Sequence, residues 1–135
     1  LTYLPDTNIL IAITKSNPAV RRHLEWHADH EILLSSVVLA EIEYGIAKSA
    51  ATKRKNNRQV FEELSKTFTI IPFSPQAAQH YGELRVFLEK QGTPIGPNDT
   101  LIAAEALAQS ATLVTDNMQE FSRVPGLLLE NWLRN

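Results

Sequence analysis

At 135 residues, with 44% apolar and 21% charged residues, the chain suits one domain, 1–135, and is too evenly composed to be disordered. It has no cysteine, which excludes disulfides and thiolate metal sites and accords with a reducing, cytoplasmic compartment. A net charge of −2 excludes a global basic field for nucleic acid, no apolar stretch approaches the ~20 residues of a membrane-spanning helix, and no secretory pattern is seen.

In chain order, Thr2 to Asp6 reads as a first strand, with Pro5 marking a strand end or an edge because it lacks a backbone donor. Thr7 to about Lys15 reads as helix. Asn17-Pro18 supplies an N-cap and a first-turn proline for a helix through about His30. Ile32 to Ser35 is a short apolar strand, and Ser36 can cap a helix over Val37 to Ala50, followed by another to about Lys66. Phe68 to Phe73 is the third strand. Ser74-Pro75 repeats the cap signal, and Gly92 closes that helix. Asn98 can cap a helix from Asp99 to about Gln109; Thr112 to Thr115 is a fourth strand, and Leu127 to Leu129 a fifth. Short apolar strands alternating with helices predict an α/β fold: a central parallel sheet of four to five strands with helices on both faces.

On this layout the acids fall in a pattern. Asp6 ends the first strand, Asp116 follows the fourth, Glu41 lies on the helix after the second, and Asp99 opens the helix after the "GTPIGPN" loop. Ligands of open parallel sheets bind beyond the carboxyl ends of the strands, so these acids can meet at one edge. Three or four carboxylates cannot all stay ionised within a few ångströms without a counter-charge. An all-oxygen donor set favours a hard divalent cation, Mg²⁺ or Mn²⁺. Each acid also has a plainer reading: Asp6 as a helix cap, Asp99 as a favourable charge at a helix start. Glu41, between Ala40 and Ile42 on an apolar helix, is poorly explained as a solvent-facing charge, whereas Glu43 suits a solvated or partner-facing position.

The segments "LPDTNILI", "SSVVLAEIEYGI", "GTPIGPNDTLIAAEAL" and "TLVTDNMQEFSRVPGL" together resemble the PIN-domain ribonucleases, and within them the VapC toxins of bacterial toxin–antitoxin pairs. The resemblance implies a PIN-like three-layer sandwich and a metal-dependent endoribonuclease, acting on tRNA or another structured RNA and neutralised by a VapB-type antitoxin. It places the family's acids on Asp6, Glu41 and Asp99, and leaves the fourth position to Asp116, Asn117 or Glu120. Under it, Asp6, Asp99 and Asp116 hold one or two ions, and Glu41 completes the catalytic set. Thr7, Asn8, Thr115 and Asn117 orient the acids by hydrogen bonds. A homodimer is also implied. Pro5 departs from the aliphatic residue or Met expected before the first acid. Two rival readings keep parts of this picture: a PIN-fold RNA-binding or scaffold protein without activity, and a haloacid-dehalogenase-type phosphatase. The second expects an acid where this chain has Asn8.

Outside the acids, Lys48, Lys53, Arg54, Lys55 and Arg58 form a basic run that suits RNA phosphates, the antitoxin or an exposed helix face. His23, His27 and His30 share a helical face at a spacing that can bind a transition metal, but no fourth ligand is evident, and a solvated face is the reading favoured. Trp26 and Trp132 suit core or interface anchors, and Gly45 and Gly82 suit close helix packing.

Overall fold

A computed structural model describes residues 1–134. Strand β1 (Thr2–Pro5) runs into helix α1 (Thr7–Thr14), then α2 (Pro18–Trp26). Strand β2 (Glu31–Ser35) leads to α3 (Ser36–Lys48) and α4 (Ala51–Ser65), and β3 (Thr69–Ile71) to α5 (Pro75–Lys90) and α6 (Pro97–Ala108). Strand β4 (Thr112–Val114), the short α7 (Met118–Phe121) and β5 (Leu129–Glu130) complete the order. All strand pairs are parallel, in the order β3-β2-β1-β4-β5. No helix among the described residues is long and apolar enough to cross a membrane.

Alternation along the strands sends successive side chains to opposite faces, and the core divides accordingly. Leu4, Leu33 and Leu113 pack with Val38, Leu88 and Ile102 under α3, α5 and α6. Tyr3 and Val114 pack on the other face with Ile9, Val20 and Trp132. Chain order turns outward in both directions from β1 and β4, so the carboxyl end of β1 is a topological switch point. Asp6 stands there. Pro5 ends the strand but is not at an edge: β1 is central, and the ladder resumes at once with the Asp6 N–H donating to the Val114 carbonyl at 2.9 Å.

Several boundaries differ from the sequence expectation. The second helix stops at Trp26 rather than His30. Ser35, not Ser36, caps α3, its Oγ accepting from Val37 and Val38 N–H; Ser36 Oγ donates to the Ile71 carbonyl instead. Helix α6 begins at Pro97 after Gly96, so Asn98 lies inside its first turn rather than capping it. Pro72 follows directly on β3 and the strand stops at Ile71. Gly92, at φ 70°, does close α5. Gly45 and Gly82 do not mark close packing, since a Cβ at either would meet nothing within 4 Å.

One further buried acid meets the end of β2 from α6. Glu105 of α6 is fully buried; Ser35 Oγ donates to its Oε2 at 2.5 Å, while Oε1 has no partner. Burial raises its pKa, against the lowering effect of the Ser35 bond. A carboxyl raised in the folded state holds more protons than in the unfolded chain, so stability falls as pH rises from its ordinary value toward the raised one. Glu105→Gln is expected to remove that slope, read from denaturant midpoints across pH.

Candidate active site

The site starts from the local chemistry of the β1–α1 junction. Asp6 is extended, with φ −78° and ψ 179°, and its Oδ1 accepts the Ile9 N–H at 3.1 Å as the N-cap of α1. Capping is therefore real, yet it does not account for the burial: Asp6 is only 7% exposed. Burial raises its pKa, the Thr115 hydroxyl and the Ile9 N–H lower it by hydrogen bonding, and the charge of Glu41 raises it again. The backbone N–H of Asn8 adds another bond, while its side chain is exposed.

Glu41 reaches the same place from α3, where Thr7 Oγ1 donates to its Oε1 at 2.8 Å. Asp99 enters from the first turn of α6. Its pKa is pushed up to about 6, by burial first and then by the charges of Glu120, Glu41 and Asp6. Every charge acting on it is negative. Glu120, on α7, is held by Asn117, whose Nδ2 donates to Oε2. Thr115 joins both ends of the group: its hydroxyl bonds Asp6, and its Oγ1 accepts the Asn117 N–H at 2.9 Å.

Asp116 is not part of this group. Thr115 N–H pairs with the Glu130 carbonyl at 2.9 Å, carrying the β4 alternation one residue on. Thr115 is thereby buried and Asp116 is turned outward. The Asp116 carboxylate accepts from Asn131 Nδ2 at 2.8 Å and lies 3.5 Å from Arg134. Of the positions open after the fourth strand, Glu120 is the acid brought to Asp99. No strand-end rule points to it, because the turn into α7 brings it back.

Two concavities adjoin Glu41. One, of about 640 Å³, runs past Thr7, Ala40, Tyr44, Asn98 and Leu101. The other, of about 390 Å³, lies among α1, α3 and α4 and is lined by Ile11, Ile42, Ile46, Val60 and Phe61. Tyr44, 67% exposed, was not foreseen; Lys48 Nζ sits 5.7 Å from the centre of its ring. The rest of the basic run is divided. Arg58 pairs with Glu43 at 2.6 Å while the Glu43 side chain stays 42% exposed, as expected of a solvated position, and Arg54 donates to the Ser49 carbonyl at 3.2 Å. Lys53 and Lys55 lie exposed on α4.

Residues 3–127 match the PIN domain family. Ribonuclease VapC2 of Rickettsia felis is 45% identical over 98% of both chains, and the tRNA(fMet)-specific endonuclease VapC of Salmonella typhimurium is 35% identical over 98% of both. Among solved structures, VapBC2 of Rickettsia felis bound to a DNA fragment from its promoter contains a chain that superposes with TM-score 0.92 at 44% identity, over 98% of this chain and 99% of that one. DNA-bound VapBC of Salmonella typhimurium gives 0.89 at 33% identity, over 98% of each.

Proposed function

The chain belongs to the PIN-domain family, and on that premise we propose that it is a cytoplasmic VapC-type toxin, a divalent-metal-dependent endoribonuclease restrained by a VapB-type antitoxin. The observation that carries this reading is the meeting of Asp6, Glu41, Asp99 and Glu120, where all the charges bearing on Asp99 are negative. Four oxygen-donor acids, with no cationic side chain among the charges acting on Asp99, suit Mg²⁺ or Mn²⁺. Asp6 and Asp99 are the ligands, and Glu120 takes the fourth acidic position in place of Asp116. When bound, the metal supplies the charge that offsets the carboxylates and the Lewis acidity that phosphodiester hydrolysis needs.

The chain's own residues do the rest. Thr115 and the Ile9 N–H hold the Asp6 carboxylate in one orientation, and Thr7 does the same for Glu41. Asn117 fixes Glu120. Glu41, at the junction of both concavities, is placed to accept a proton from an attacking water. RNA follows the larger groove past Tyr44, with Lys48, Lys53 and Lys55 toward its phosphates. A VapB-type antitoxin is the partner that the VapBC complexes named above suggest, and the apolar groove among α1, α3 and α4 is the surface this chain offers it. The working unit is a homodimer of this single PIN domain. The tRNA(fMet) specificity named for the Salmonella relative makes initiator tRNA the first substrate to try.

Removal of metal tests the reading directly. Purified, antitoxin-free chain incubated with total RNA and Mg²⁺ or Mn²⁺ is expected to yield discrete products that EDTA abolishes and added Mn²⁺ restores. Unchanged cleavage in EDTA, from protein shown free of contaminating nuclease, would sink it.

A further inference from the structure

The three histidines do not lie on a solvated helix face. Helix α2 ends at Trp26, so His27 and His30 fall in the turn that follows it, against Tyr3 and Trp132. There the chain's end supplies the acid that the sequence left out. His23, His27 and Glu130 each offer a ligand atom, and these atoms all lie within 4.8 Å of one another. We propose that His23, His27 and Glu130 form a second metal site, for a divalent transition-metal ion of the zinc type, fastening α2 to the segment around β5.

Both ring nitrogens of His23 are buried without a hydrogen-bond partner. Its ring lies parallel to Trp132, 2° between planes, which accounts for where the ring sits but not for its nitrogens. Buried polar atoms are nearly always satisfied, and a metal bond would satisfy one of these. The Glu130 carboxylate is held toward the imidazoles by the Trp132 Nε1–H at 3.0 Å and the Tyr3 hydroxyl, and its Oε1 is 3.7 Å from His27 Nε2. His27 Nδ1 lies 3.3 Å from His30 Nδ1, so one donates to the other. With His27 as donor, its Nε2 is left as the lone-pair nitrogen facing Glu130, the arrangement in which ligating histidines are usually held.

Bonds of 2.0–2.1 Å put tetrahedral zinc ligands about 3.4 Å apart. The edges of this triangle therefore need to shorten by at most about 1.4 Å, within reach of side-chain rotation. Two imidazoles and one carboxylate select a borderline ion over Mg²⁺, and they leave a fourth position to water. The site shares no residue with the acids around Asp6 and does not depend on the nuclease reading.

The test is equilibrium dialysis of the intact chain against zinc chloride in excess magnesium chloride, which keeps the carboxylate site occupied. Native protein, Asp6→Asn and His80→Gln are each expected to retain one equivalent of zinc and to melt at a higher temperature with it. His23→Gln and His27→Gln are expected to bind zinc at least tenfold more weakly. Equal binding by native protein and His23→Gln, or no zinc on the native protein, overturns the proposal; so does loss in Asp6→Asn with retention in His23→Gln. Should the histidine variants not fold, the native chain still decides. Trp26 and Trp132 lie 5.0 and 5.7 Å from the His23 ring, so Co²⁺ should quench tryptophan fluorescence saturably at one equivalent and zinc should reverse it. Fluorescence unmoved by Co²⁺ would refute the site.

Discussion

Asp6→Asn is expected to lower RNA cleavage by on the order of 10³-fold, the scale on which loss of a preorganised electrostatic group is felt in catalysis. The fold should survive the change. Asn caps a helix as well as Asp does, so the bond from the Ile9 N–H is kept. The neutral amide also removes a buried charge whose pKa is raised by burial, and with it the repulsion from Glu41. Metal-free Asp6→Asn should therefore melt no lower than the native chain. The stabilisation that Mg²⁺ confers on the native chain, by binding the folded state alone, should shrink or vanish in the variant. An Asp6→Asn protein that cleaves at the native rate would remove Asp6 from the catalytic set; one that melts much earlier would show that its role is structural.

The second large effect separates two neighbouring acids. Glu120→Gln is expected to reduce cleavage roughly 10²-fold, since its charge is the leading one acting on Asp99 and its side chain is held in place by Asn117. Asp116→Asn should stay within about threefold of native, because its contacts are with Asn131 and Arg134 at the surface. Single-turnover rates on one defined RNA, measured at saturating Mg²⁺, make the comparison. The reverse order of effects would return the fourth position to Asp116 and require the segment after β4 to turn when metal or RNA binds.

The two acids show why the carboxyl end of the chain was harder to read than the beginning. Around Asp6, the strand, the cap and the acid are local: Tyr3 and Leu4 are buried, Asp6 accepts from a residue three positions on, and both follow from pattern alone. After β4, the choice among Asp116, Asn117 and Glu120 depends on one residue of strand alternation and on a four-residue helix that has no periodic signal. Glu105 is illegible in the sequence for a different reason. An acid among alanines in "AAEAL" looks like a solvated helix position until α6 is packed on the sheet and the whole stretch is covered.

Composition, the alternation of short apolar strands with capped helices, and the placement of Asp6 at the end of the first strand were determined by the sequence itself. Each depends on contacts within a few residues or on the general rule that parallel sheets bind ligands at their carboxyl edge. Only the tertiary structure decided that Glu120 rather than Asp116 joins the acids, that Arg58 is tied to Glu43, and that Glu130 meets His23 and His27. The last pairing joins positions more than a hundred residues apart, on an early helix with the turn after it and on β5. Their meeting depends on the order of strands in the sheet and on which face each helix covers, and no local periodicity encodes either.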